Sequence, residues 1–143
     1  MILERLGPSI KSVKDDHPFV TRSDALKVGI QMIEGINKIH DAGYLHCDIK
    51  IDNILTAVNW KVDPQLTFID FGQAQKYLLP DGSHRPNVKL PKSDQNVYFS
   101  STNCLKNETP DRRDDIFSIA YSIIFFLNRF LPFKRLNENL STS

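Results

Sequence analysis

Asp48, Lys50 and Asn53 stand close together in one short polar segment, and Asp70 follows the next apolar run of the chain. Transfer of a phosphoryl group needs a carboxylate near the incoming hydroxyl, a cation near the moving phosphate and oxygen ligands for magnesium. These side chains supply all three requirements. Their types and order therefore predict phosphoryl-transfer chemistry, provided that the surrounding elements hold them together on rigid backbone.

A long helix is predicted immediately before the polar segment. Thr21 and Asp24 have the spacing of a capping box, and Gly43 is placed to close the helix in the left-handed conformation. Two apolar rows recur at helical spacing, the first with Leu26, Ile30, Ile33 and Asn37, the second with Val28, Met32, Ile36 and Ile39. A stripe this wide predicts that the helix lies deep in the core.

The remaining pattern predicts short strands, loops and a second helix. Residues 1–10 indicate a strand end and a turn at Gly7–Pro8, and residues 11–18 are a polar stretch. Residues 44–55 predict a loop with a short strand on each side, and residues 66–69 predict another strand. Residues 73–110 predict functional loops, and the apolar residues 114–128 predict a central buried helix that stops before Pro132.

The composition indicates one ordinary globular domain and argues against several other classes. The chain has 143 residues, of which 41% are hydrophobic and 24% charged. A formal net charge of +1 gives no general attraction for nucleic acid or an anionic membrane. The apolar run from Ile116 to Leu127 is too short to cross a bilayer. The two cysteines and four histidines lack the spacing of a disulfide scaffold or a zinc site.

Two motifs together resemble the protein kinase family. The sequence H-C-D-I-K-I-D-N at residues 46–53 stands where H-R-D-L-K-P-x-N is usual, and D-F-G at residues 70–72 matches without change. Four further segments are similar to the casein kinase I group: L-G-P-S at 6–9, S-S-T-N at 100–103, R-R-D-D at 112–115 and L-P-F at 131–133. The resemblance runs nearly from end to end.

The resemblance implies a fold and an activity. The fold expected is α+β and protein kinase-like, represented by the mostly α-helical C-terminal lobe with short β-strands around the catalytic loop. Residues 1–143 would form one partial kinase domain, cut at both ends. The expected activity is transfer of the γ-phosphate of ATP to serine or threonine hydroxyls of a protein substrate, with Mg²⁺ as cofactor.

The resemblance also assigns roles to the polar residues. Asp48 would be the catalytic base, and Lys50 would steady the γ-phosphate. Asn53 and Asp70 would hold Mg²⁺, and Asp115 would anchor the catalytic loop from the buried helix. His46 is expected to be a core histidine with its hydrogen bonds satisfied.

The nucleotide site is assigned in the same way. Leu3, Glu4, Arg5 and Leu6 would edge the adenine pocket, chiefly through backbone groups, and Leu55 would lie beneath the base. The small lobe of the family, with its glycine-rich loop, strand lysine and helix glutamate, has no counterpart in these 143 residues.

Several residues depart from the family pattern. Cys47 replaces the arginine that pairs with a phosphorylated activation loop in many kinases, so control by such phosphorylation is not expected. Ile51 stands where proline is usual, and Asn96 stands where a threonine is usual. Tyr98 occupies the position of an arginine that binds phosphorylated or acidic substrate residues, and a phenol cannot replace a bidentate guanidinium.

Three other interpretations remain open at this point. The chain could be a noncatalytic lobe fragment or pseudokinase whose uncovered apolar helix faces bind a partner protein. It could be a small-molecule phosphotransferase, although Lys50, D-F-G and R-R-D-D argue against this. It could also be an incomplete gene product.

The N-terminus shows no secretion signal, so a cytoplasmic or nuclear location is expected, with no membrane or nucleic-acid partner.

Overall fold

The computed structural model describes residues 5–17, 19–91 and 98–133. The helices are α1 Ile10–Asp16, α2 Arg22–Asp41, α3 Thr102–Leu105 and α4 Arg112–Asn128. The strands are β1 Tyr44–Leu45, β2 Ile54–Thr56, β3 Leu66–Phe68 and β4 Gln75–Lys76, with single 3-10 turns at Ile51–Asn53 and Phe71–Gln73. This mixture of helices and short strands is the α+β arrangement that the sequence predicts.

Helix α2 begins and ends where the sequence indicates. The hydroxyl of Thr21 accepts from the backbone N–H of Asp24 at 3.1 Å, and the Asp24 carboxylate accepts from the backbone N–H of Thr21 at 3.0 Å. These bonds form the capping box, and the hydrogen bonds from Thr21 lower the pKa of Asp24. Beyond the helix, Gly43 takes a φ of 83°, which closes the helix as expected.

The prediction of which face of α2 is buried was half wrong. Met32 and Ile36 of the second row are fully buried, but Leu26 and Ile30 of the first row are 67% and 58% exposed. The buried stripe of the helix is Ala25, Gly29, Met32, Ile36 and His40, and a Cβ at Gly29 would lie 2.9 Å from Cδ1 of Ile123 on α4. This stripe includes two residues of the second row and none of the first, because small residues and a histidine take the other buried positions.

Helix α4 starts two residues earlier than predicted, at Arg112. Asp111 and Asp114 form its capping box, and its buried residues are Asp114, Asp115, Ile119, Ser122 and Phe126. The expected burial of the whole apolar run is wrong at one end, because Ile116 and Phe117 are 38% and 51% exposed. The exposure on both helices confirms the expectation of partly uncovered apolar faces in the described part of the chain.

Helix α1 was not predicted by the sequence pattern. Ile10, assigned to a strand end, is its first residue, and the Ser9 hydroxyl caps it by accepting from the N–H of Ser12. The Lys14 ammonium is buried and donates to the backbone carbonyl of Phe126 at the end of α4. Burial lowers the pKa of Lys14, and the neighbouring Arg129 charge lowers it further. A helix end can accept a cation in this way because its last carbonyls lack backbone partners.

The strands form two small antiparallel ladders that flank the polar segment. In one, β1 pairs with β4, and in the other β2 pairs with β3. The predicted loop between two strands is therefore confirmed. The core below the ladders is formed by apolar residues of α1, α2, α4 and the loop, among them Ile10, Met32, Ile36, Ile49, Ile51, Ile54, Ile119 and Phe126.

Residues 73–110 are largely irregular, as predicted, within the described portion. Only β4 and α3 interrupt them, with isolated bridges between Leu78 and His84 and between Lys89 and Glu108. Among the helices described, none is long and apolar enough to cross a membrane.

Replacing Gly29 with valine tests the packing of α2 on α4. Because a Cβ there would collide with Ile123, we expect the free energy of unfolding in urea to fall by about 1–3 kcal/mol, the usual cost of overpacking. Glu34→Val, at an exposed site on the same helix, is the control for β-branched helix propensity. A Gly29→Val chain as stable as its parent would show that the faces are assigned wrongly.

Candidate active site

The carboxylate of Asp48 is the centre of a compact polar cluster. Its Oδ2 accepts from the Lys50 ammonium at 2.6 Å and from the amide Nδ2 of Asn53 at 2.9 Å. The same Nδ2 also donates to the backbone carbonyl of Asp48 at 3.0 Å. The side chain of Asp48 is 16% exposed and that of Lys50 is 25% exposed, so the pair is accessible from only one side. The described residues leave Oδ1 of Asp48 without a hydrogen-bond donor.

Asp115 on α4 fixes the backbone of this loop. Its two carboxylate oxygens accept from the backbone N–H groups of His46 and Cys47 at 2.9 and 3.0 Å, and Oδ2 also contacts Nε2 of His40 at 2.9 Å. Cys47 has a φ of 64°, which is costly for a residue other than glycine. The charge-assisted bonds from a carboxylate only 3% exposed hold the loop in this conformation.

His46 joins the loop to the segment that carries Asp70. The backbone N–H of Asp48 donates to Nδ1 of His46 at 3.3 Å, so the proton of the neutral ring lies on Nε2, which donates to the carbonyl of Ile69 at 3.0 Å. The fully buried ring also contacts the rings of Phe68 and Phe71. The expectation of a satisfied core histidine is therefore confirmed.

Asp70 lies beside the cluster in a left-handed turn. Its φ is 62°, and its Oδ1 accepts from the N–H of Gly72 at 3.3 Å. The backbone N–H of Ile69 donates to the carbonyl of Asn53 at 3.0 Å, which ties the Asp70 segment to the Asp48 loop. The structure thus brings Asp48, Lys50, Asn53 and Asp70 into one neighbourhood through short backbone links.

The free oxygens of the cluster fit a hard divalent cation. Nδ2 of Asn53 is engaged by Asp48, which leaves Oδ1 as an acceptor with no donor among the described residues, and Oδ2 of Asp70 is likewise free. Carboxylate and amide oxygens are the ligands that Mg²⁺ takes, usually with one or two protein groups plus phosphate oxygens. Within ranges 5–17, 19–91 and 98–133, no group of three or more His, Cys, Asp and Glu side chains is placed to hold a metal ion.

Asp114 organises the segment opposite the loop, a role that sequence reasoning did not assign. Its carboxylate accepts from the hydroxyl of Ser101 at 2.5 Å, from Nδ2 of Asn103 at 3.1 Å and from the backbone N–H of Asp111 at 2.7 Å. It therefore ties α3 to the start of α4. The S-S-T-N and R-R-D-D segments contain the three residues of this contact, Ser101, Asn103 and Asp114, but their spacing in the sequence does not reveal that they meet.

Cys47 and Cys104 line a cavity of about 270 Å³ next to the cluster, together with Asp48, Lys50, Leu90 and Glu108. Burial raises the pKa of Cys47 to about 12, and the negative charge of Asp115 acts in the same direction. Burial also raises the pKa of Cys104. Nε2 of Gln75 approaches the Cys47 sulfur at 3.3 Å. The residue that replaces the usual arginine is therefore an uncharged thiol.

The segment that contains Leu6 runs along the strand that contains Leu55. The N–H of Gly7 donates to the carbonyl of Thr56 at 2.7 Å, and Ser9 forms an antiparallel bridge with Leu55. A Cβ at Gly7 would lie 2.2 Å from the carbonyl oxygen of Ala57, so only glycine permits this approach. Leu6 and Leu55 are half-buried at this edge. Leu3, Glu4 and Asn96 lie outside the described residues.

The family is established by comparison with known proteins. A sequence model of the protein kinase domain matches residues 1–143, and the chain belongs to the protein kinase family. It is 33% identical over 141 residues to a probable serine/threonine-protein kinase of Dictyostelium discoideum, with 96% of this chain and 28% of that protein covered.

Two further relatives are similar over nearly the whole chain. A probable casein kinase I homolog of Encephalitozoon cuniculi is 32% identical over 142 residues, covering 99% of this chain and 43% of that protein. The human serine/threonine-protein kinase VRK2 is 28% identical over 137 residues, covering 94% and 26%. The resemblance to serine/threonine kinases that include a casein kinase I homolog is confirmed. The chain spans from about a quarter to less than half of these relatives.

Asp115→Asn tests the anchor of the loop. An amide offers one oxygen where the carboxylate offers two, so at least one buried N–H loses its acceptor and we expect a loss of about 2–3 kcal/mol in urea unfolding. Asp41→Asn, at the exposed end of α2, is the matched control. A loss no larger than that of the control would mean that the loop holds its conformation without Asp115.

The raised pKa of Cys47 predicts slow alkylation in the folded chain. Only the thiolate reacts, so at about pH 8 iodoacetamide should modify Cys47 at least about a hundredfold more slowly than in guanidinium-unfolded chain. Peptide mass spectrometry at timed intervals measures both rates. Equal rates in the folded and unfolded chains would contradict the buried, neutral thiol.

Proposed function

We propose that this chain is part of a casein kinase I-like serine/threonine protein kinase that transfers the γ-phosphate of Mg-ATP to protein hydroxyls. The observation that carries the proposal is the Asp48 carboxylate, whose Oδ2 is held by Lys50 and Asn53 at 2.6 and 2.9 Å, while no donor among the described residues binds its Oδ1. Family membership supports the reaction class.

Asp48 would act as the base that receives the substrate hydroxyl. The hydrogen bonds that the described residues donate to this carboxylate fall on Oδ2, so Oδ1 would be the atom that accepts the hydroxyl proton. The fixed backbone between His46 and Asn53 would limit the positions that Oδ1 can take. This is the positioning on which phosphoryl transfer depends, because the protein takes little covalent part in the reaction.

Lys50 would bind an oxygen of the phosphate that is transferred. In the free chain its ammonium is paired with Asp48, and the pair is partly exposed to the cavity that Glu108 also lines. An incoming phosphate oxygen would compete with Asp48 for the same ammonium. The lysine could then bridge the base and the phosphate, so that charge developing on the phosphate is stabilised by a group already in place.

Asn53 and Asp70 would hold Mg²⁺ through the side-chain oxygens that receive no donor from the described residues. When bound, the ion would supply positive charge to the phosphate oxygens, as it does in the family. Leu6 and Leu55, with Leu3 and Glu4, would edge the adenine. The partners would be ATP and a protein substrate, and the location would be cytoplasmic or nuclear.

A second function is favoured by a specific observation. Leu26 and Ile30 on α2 and Phe117 on α4 are more than half exposed, and apolar surface of this kind often binds another protein. Cys47 in place of arginine is also compatible with a noncatalytic chain. In this alternative the chain is a binding module, and the polar cluster does not catalyse phosphoryl transfer.

Asparagine substitutions at the two central aspartates test catalysis. In the protein as its own cells produce it, Asp48→Asn should lower kcat by about 10²–10⁴ because the amide cannot accept the proton. Asp70→Asn should also lower kcat severely through weaker metal binding. Transfer of labelled phosphate to a mixed protein substrate measures both. Asp52→Asn, which alters only the exposed ion pair with Lys11, is the control. An Asp48→Asn protein as active as its parent would rule out the mechanism.

Thermal melts in Mg-ATP separate the two functions. A ligand that binds only the folded state raises stability by about 2.7 kcal/mol at a hundred times its Kd, so millimolar Mg-ATP should raise the Tm of the kinase. The shift should shrink without Mg²⁺ and in Asp70→Asn. Absence of any shift in the parent, with the fold intact by circular dichroism, would favour the binding module.

A further inference from the structure

An open apolar groove lies between α1, the first half of α2 and the β2–β3 connection. Its volume is about 420 Å³, within the range of about 300–1,000 Å³ that is typical of binding sites. The wall is formed by apolar side chains of four elements, Ile10, Val13, Val20, Val28, Leu66 and Phe126. None of the lining residues is shared with the cavity beside Asp48.

Aromatic side chains stand at the mouth of the groove. Phe19 is 94% exposed, which is unusual for so large an apolar group outside a binding surface. Trp60, the single tryptophan of the chain, contacts the His17 ring in a tilted arrangement with 5.4 Å between ring centroids. Aromatic residues of this kind are enriched where proteins bind each other.

The polar groups that line the groove are mostly engaged within the protein. Gln31 donates to the carbonyl of Pro64 and accepts from the N–H of Leu66, and Thr56 donates to the carbonyl of Pro8. The Asp24 carboxylate is occupied by the N–H and hydroxyl of Thr21. A small polar ligand would find few free groups to orient it.

Two lysines stand at the rim of the groove. Lys27 and Lys61 both line the groove, and no carboxylate among the described residues lies within salt-bridge distance of either ammonium. The Lys61 ammonium lies 5.7 Å from the Trp60 ring centroid, over its face. The Asp24 carboxylate also lines the groove, and the charge of Lys27 helps to lower its pKa. The surface therefore combines an apolar floor with two lysines and one carboxylate, so that positive charge is in excess among the described lining residues.

We propose that this groove is a docking site for a protein segment that carries leucine-like side chains flanked by carboxylates. The apolar side chains would fill the space between Val13, Val28 and Phe126, and the carboxylates would pair with Lys27 and Lys61. A basic segment is disfavoured by the same charges, since like charges at a rim repel. The site goes beyond the proposed catalysis and does not require it.

Trp60 gives a direct test because it lines the groove and is the single tryptophan of these 143 residues. The blocked peptide EELELEE is titrated into the chain at low salt, with KKLKLKK and EESESEE as comparison peptides. We expect EELELEE alone to shift the Trp60 emission saturably, and the shift to weaken as salt rises. No shift at millimolar EELELEE, or an equal shift with KKLKLKK or EESESEE, would overturn the proposal.

Charge reversal at the rim provides the matched comparison. The double variant Lys27→Glu and Lys61→Glu should weaken EELELEE binding by about tenfold or more. The control is the double variant Lys38→Glu and Lys106→Glu, which makes the same charge change on exposed lysines outside the groove. It should leave the binding unchanged. Equal weakening by both pairs would show a general charge effect and contradict the site. An emission shift that follows chain concentration without peptide would assign the groove to a second copy and also overturn it. Because no step needs ATP, the result is independent of the catalytic tests.

Discussion

The buried carboxylate of Asp115 is the interaction on which the rest of the site depends. A charge this deep in the protein is unfavourable unless donors surround it, and here the backbone N–H groups of His46 and Cys47 and the His40 ring provide them. The donors belong to the loop and to α2, while the acceptor belongs to α4. Satisfying one buried charge therefore fixes three parts of the fold relative to each other.

The loop that Asp115 fixes positions the polar cluster mainly through hydrogen bonds to backbone groups. His46 binds the N–H of Asp48 and the carbonyl of Ile69, and the carbonyl of Asn53 accepts from Ile69. Because the links use main-chain atoms, they constrain the path of the loop more than the identity of each side chain. Isoleucine at position 51 is compatible with this, since it is buried in the core and leaves the backbone bonds in place.

The sequence predicted the parts of the fold that have strong local signals. The capping box of α2, the strands beside the loop and the neighbourhood of Asp48 and Asp70 could be read from residue types and spacing. The buried face of α2 could not, because three of its five positions are Ala25, Gly29 and His40, which belong to neither apolar row. Helix α1 was missed since its sequence is polar and its main tertiary bond, from Lys14 to α4, joins residues far apart in the chain.

Because Asp115 holds the loop, a charged side chain is not needed at position 47 to fix its conformation. Where an arginine occupies that position, its charge needs an anion nearby, and the position of the adjoining segment depends on whether the anion is present. The neutral thiol makes no such demand, and the left-handed backbone at Cys47 is held by Asp115 instead. The loop geometry then exists without any added phosphate.

The docking groove is lined by Thr56, at the far end of the strand that begins directly after Asn53. With the loop already held, a docked segment would act by raising the local concentration of its own hydroxyl groups rather than by rearranging the site.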